Sequence, residues 1–368
     1  MKIRTLAASS PDGRVLNKGS ILDFSGKIAG MITSDRKNFH EILSEPYSET
    51  LGRAENNLES NHHGIFGHQC VTLMIEDAPK VLTMILSSAG LFNVSENLFC
   101  YSETKTSGLE EELYRKWQVI FYSDVVPKRF PEKSDEEQKE LAVFYAQYLV
   151  SIFTPSTYLA YTTSVKRLNY IIGWMEDYIA NSQTKTLFET RLKDVFTEFI
   201  REFDKNYIIS GLTDPNNRVF SLFGSRERAT EWGENYSYSY DGSFLELVQA
   251  QSHRKIHYEF RLISSDESVC NSANFYVPDV LSGSEYVDEW LTDATLLLHD
   301  YPQGMIVRIN ERGTLEDFAL KCGKTLNSSD NHADELVKQT AATLNQYYLS
   351  VKAQSVRDYL AQYISGVK

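Results

Sequence analysis

Residues 249 to 260 read QAQSHRKIHYEF, and four cationic or titratable side chains (His253, Arg254, Lys255 and His257) fall within five positions of one another. Holding a dinucleotide pyrophosphate or a nucleoside monophosphate inside a protein requires compensating charge and directed donors. An arginine fork supplies both bidentately, and His or Lys adds to it. The same residues stand where the apolar periodicity of FLELVQAQSHRK places a helix C-terminus, and cations complement the helix dipole there. Two readings therefore stand side by side: an anion site built on His253 and Arg254, or a solvated helix end. His257 shares a strand face with Lys255 and Glu259, which reads as a surface or interface position.

Other chemistry-bearing clusters are less directive. Arg308, Asn310, Glu311 and Arg312 follow a Pro-Gln-Gly turn. They read as a charged turn before a helix capped at Thr314, with Asp317 three residues on. Lys324 and His332 flank the polar loop GKTLNSSDN. The preceding CGKT matches the end of a phosphate-binding loop, but Phe318 occupies the position where its first glycine must stand. His62, His63 and His68 lack Cys or carboxylate partners at ligand spacing, so no metal site is indicated. A hydrogen-bonded, partly buried histidine is the expectation for His68, and Glu96 reads as a loop acid or an exposed one. Cys70, Cys100, Cys270 and Cys322 are scattered without a CxxC pair, as expected of reduced thiols in a cytosolic setting. No Ser-His-Asp, Cys-His or paired-carboxylate set can be argued from residue order.

The chain has 368 residues, a net charge of −13 and a pI near 5.2. Length sets the expectation of two domains, or of one unit built from two halves. The acidic balance argues against a nucleic-acid or membrane-surface binder, because phosphate-backbone binding requires a dominant positive face. A local anion pocket remains compatible with it. The start MKIRTLAASSPDGRV lacks an apolar signal-peptide core, and no stretch of about 18 apolar residues occurs. A cytoplasmic protein is the expectation.

Helical spacing of apolar residues predicts helices over 40–60, 107–126, 133–153, 164–181 and 187–206, with a further apolar helix begun at Pro79 and stopped at Gly90. GHQCVTLMIED and IHYEFRLIS read as strands, EYVDEWLTDATLLLHDY as a helix, and a terminal helix is expected from about Asp334. Residues 207–243 are rich in Gly, Asn, Ser and Asp and read as a linker between 1–206 and 244–368. The order of elements then starts again. TPSTYLAYTTSVKRLNYIIGWM and YPQGMIVRINERGTLEDFALKC each carry Pro second and Leu thirteen residues later, at Pro155 and Leu168 and at Pro302 and Leu315. An internal duplication accounts for this, and the alternative is two unrelated helices that follow prolines.

With these residues in view, the second half resembles the flavin-dependent thymidylate synthases. That family carries an Arg-His-Arg triplet at a helix end and a polar segment closing on Ser-x-Arg-Tyr. Further on come a Pro and a helix with a late Arg and a His-Ala-Gln-x-Glu stretch. Ser252-His253-Arg254 lies at the triplet position, Lys321 or Lys324 near the late Arg, and His332-Ala333-Asp334-Glu335 near the last stretch. In the first half His68 corresponds to an early flavin-contacting His, Glu96 to a loop acid and Tyr101 to the closing Tyr. Ser88-Ala89-Gly90 replaces the triplet there, and Leu98 and Cys100 replace the Ser and Arg of Ser-x-Arg-Tyr.

The resemblance implies an α+β, helix-rich fold with antiparallel sheet, built from two diverged halves. It implies FAD held by His68, Glu96, His253 and Arg254, a small-molecule nucleotide contacted by Arg308 and Arg312, and catalytic roles for Arg254 and for Lys321 or Lys324. The implied activity is one-carbon transfer to dUMP or a related pyrimidine nucleotide. Methylenetetrahydrofolate is the implied donor, and NADPH re-reduces the flavin. The cofactor carries the difficult chemistry, so no nucleophilic side chain is required. No metal is implied, and the assembly is a homo-oligomer with sites shared between subunits. The alternative is an inactive descendant that serves as a nucleotide-binding or structural scaffold.

Overall fold

Burial alternates along Cys70–Pro79, with Val71, Leu73 and Ile75 facing inward, as a strand with one covered face requires. The computed structural model describes residues 1–9, 16–33, 37–88, 92–96, 106–182, 186–214, 235–245, 247, 257–262 and 274–314. Along the chain run β1 (Lys2–Ser9), α1 (Lys18–Thr33), α2 (Phe39–Leu43), α3 (Tyr47–Glu59), β2 (Cys70–Pro79), α4 (Lys80–Ser88) and β3 (Phe92–Glu96). Next come α5 (Gly108–Ile120), α6 (Val126–Arg129), α7 (Asp135–Ala146), β4 (Pro155–Ser164), α8 (Val165–Asn181) and α9 (Leu187–Glu202). The described part closes with β5 (Asn235–Ser243), β6 (His257–Leu262), α10 (Val287–Leu296) and β7 (Ile306–Thr314). The fold is α+β, with antiparallel pairing throughout both sheets.

Local sequence sets these boundaries. Asn38 with Glu41, Ser134 with Glu137 and Thr186 with Glu189 form reciprocal capping boxes that start α2, α7 and α9. Ser164 accepts from the Arg167 amide and ends β4 by beginning α8.

The chain divides into two compact units, Met1–Lys105 with Phe153–Ser221, and Thr106–Ile152 with Leu222–Lys368. One junction, 221/222, falls inside the 207–243 segment; the other two carry no change of composition. In the first unit the strand order is β1-β2-β4-β3. Leu159 and Tyr161 of β4 are buried, as are Val81, Leu82 and Ile85 of α4 and Leu168, Ile171 and Met175 of α8. α1 and α3 approach so closely that a Cβ on Gly26 would stand 1.9 Å from the Thr50 carbonyl oxygen, so the crossing requires glycine.

In the second unit the order is β5-β7-β6. Phe244 and Phe260 meet edge to face at 5.3 Å, and Val307 and Ile309 of β7 are fully buried. Trp117 of α5 packs edge to face on Trp290 of α10 at 4.8 Å and donates from Nε1 to Asp293 Oδ2 at 2.8 Å. Lys116 reaches the same carboxylate at 2.6 Å. A π-helical turn, Phe121–Val125, connects α5 to α6.

Several expectations are corrected. Asn235–Ser243 lies in the stretch read as a linker, yet it forms β5, whose alternating Tyr236, Tyr238 and Tyr240 carry the period of two. The segments after Pro155 and Pro302 begin as strands, β4 and β7, each an inner strand of its sheet. The opening stretch, to which no elements were assigned, contains β1 and the long helix α1. The terminal helix from Asp334 lies outside the described residues.

Candidate functional site

Glu96 closes β3, and β4 sets it opposite Leu159. Lys80 begins α4 directly after β2. Its ammonium lies 2.6 Å from Glu96 Oε1, and the two side chains are only 3% and 8% exposed. The acid that the sequence offered as a ligand contact is thus spent on an internal ion pair. Lys80 was missed because a Lys at the first turn of an apolar helix looks like a solvated one.

His68 ends the short 3-10 turn His63–Gly67, and its side chain is exposed. It precedes Cys70, which pairs with Ser164 at the far end of β4, five positions from Leu159. At about 3.3 Å per residue, Glu96 and His68 stand roughly 16 Å or more apart along the sheet, so one molecule of this unit does not bring them together around one small group.

His63 is the histidine that folding uses. It is 3% exposed, its Nδ1 lies 2.8 Å from the Tyr170 hydroxyl, and its Nε2 lies 3.3 Å from the Leu58 carbonyl. Nε2–H donating to the carbonyl and Nδ1 accepting from the phenol satisfy the neutral ring. Burial, more than any neighbouring charge, holds its pKa below the ordinary 6.5. Burial likewise pushes the Tyr170 hydroxyl up to about 12. The neutral ring stabilises the fold above the unfolded-state pKa, and that contribution is lost as pH falls below about 6.5, where the unfolded chain takes the proton first. Urea unfolding of the native chain and of His63→Gln is expected to show a smaller loss of stability in the variant between about pH 7 and about pH 5.5. Parallel curves for the two proteins would show that His63 does not carry the pH dependence.

In the second unit Arg308 stands opposite Asp241 across β5 and β7, and its guanidinium grips that carboxylate with both Nε and Nη2, the latter at 3.0 Å. Asp241 raises the Arg308 pKa further, and both side chains are about half exposed. Arg312 lies on the same strand and is also exposed. The residue between them on the opposite face, Glu311, is 1% exposed beside the buried Tyr258, whose hydroxyl is pushed well up by burial and then by Glu311. Arg308 and Arg312 thus share one open strand face, two positions either side of Asn310.

His253, Arg254, Lys321, Lys324 and His332 lie outside the described residues, as do Ala89, Gly90, Leu98, Cys100 and Tyr101. Among the described residues no group of three His, Cys, Asp or Glu side chains has a metal-binding arrangement, and no helix is long and apolar enough to cross a membrane. The described candidates do not by themselves fit a flavin. Glu96 is neutralised inside the unit, Arg308 is held by Asp241, and His68 and Glu96 sit at separate levels of the sheet. No chemical step is derived through that cofactor. Comparison with known proteins found no family model and no curated protein that matches the chain.

Proposed function

We propose that the chain is a divergent FAD-dependent thymidylate synthase-like enzyme of pyrimidine nucleotide metabolism, with its anion-holding residues concentrated in the second unit. The supporting observation is a repeated framework. In each unit two strands, β2 and β3 or β5 and β6, are followed along the chain by a third that inserts between them, giving the orders β2-β4-β3 and β5-β7-β6. In sequence, the position of the family's triplet precedes β3 in the first run, at Ser88-Ala89-Gly90, and β6 in the second, at Ser252-His253-Arg254. In the first run that place has lost its cations; in the second it keeps His253 and Arg254. In this reading FAD, when bound, would supply the redox chemistry, Arg254 and His253 would balance phosphate charge, and Arg312 would present donors beside Arg308, whose guanidinium Asp241 already engages.

A second reading, an inactive descendant that serves as a nucleotide-binding or structural scaffold, is favoured by the Lys80–Glu96 pair, which withdraws a candidate ligand residue into the interior. Purified protein decides between them. The enzyme reading expects a visible flavin absorption band, or uptake of added FAD, weakened about tenfold or more by Arg254→Ala, as loss of one bidentate charge-assisted contact implies. It also expects rescue of a thymidine-requiring strain that Lys321→Ala with Lys324→Ala abolishes. Colourless protein that takes up no FAD overturns it. Flavin binding without rescue leaves the scaffold reading standing in its place.

A further inference from the structure

We draw no further inference here: the strongest candidate, the open cleft of about 350 Å³ between α6 and the turn that leads into α10, is lined by exposed cations of which Lys128 is already paired with Asp124, and nothing in the structure points to a ligand for it.

Discussion

Lys80→Met is expected to destabilise the chain by about 3–5 kcal/mol, because it leaves the Glu96 carboxylate buried without its partner. Glu96→Gln should cost a similar amount for the opposite reason, an ammonium left at the base of α4 with its acceptor weakened. The double variant Lys80→Met/Glu96→Leu is expected to recover most of the loss, since a buried ion pair and a well-packed apolar pair of like volume are often close in stability. The pattern of two costly single changes and a mild double change marks an internal pair at 2.6 Å. Chemical denaturation of the three variants reads it directly. Single changes that each cost below about 1 kcal/mol would place the pair in solvent instead.

The second large effect belongs to Trp117. Its ring is fully buried against Trp290 and Phe121, and its indole N–H is satisfied by Asp293. Trp117→Ala is expected to cost about 3–5 kcal/mol, the range for removing a large aromatic side chain from a packed core. Trp117→Phe keeps most of the ring and loses the donor, so it should cost less, about 1–3 kcal/mol, through the unmet acceptor and the smaller ring. Lys116 still reaches Asp293 in that variant and limits the penalty. Equal losses for the two replacements would mean that the hydrogen bond, not the packing, dominates at this position.

The helices were legible where apolar residues recur at helical spacing, and the structure adds the caps that start them. α7 and α9 begin at Ser134 and Thr186, each followed three residues on by the Glu that completes its cap. Strand β2 was legible from its alternation, and the α+β class follows from these together. The strands β4 and β7 were hidden because each runs on from a proline into residues that also fit a helix, and pairing with partners far along the chain decided the outcome. For β4 those partners begin at Cys70, and for β7 at Asn235. Long-range pairing overrides local preference, and no window of one sequence contains it. At the candidate site the residue types were visible and their engagements were not. Glu96 and Arg308 read as free charges until Lys80 and Asp241 are placed beside them.

The threading of the chain through its two units has a consequence for synthesis. Thr106–Ile152 leaves the ribosome long before Leu222–Lys368, the segment with which it forms a unit. Trp117 and Phe121 must therefore wait for Trp290, which at about 5–20 residues per second is a delay of roughly ten seconds or more. Met1–Lys105 waits in the same way for β4 and α8, but for fewer residues, so the first unit can close while the second is still incomplete. The nascent chain thus carries an unburied aromatic helix face, in α5, as a stage of its own maturation. Slower elongation after residue 152 lengthens the time for which that face is open to other chains.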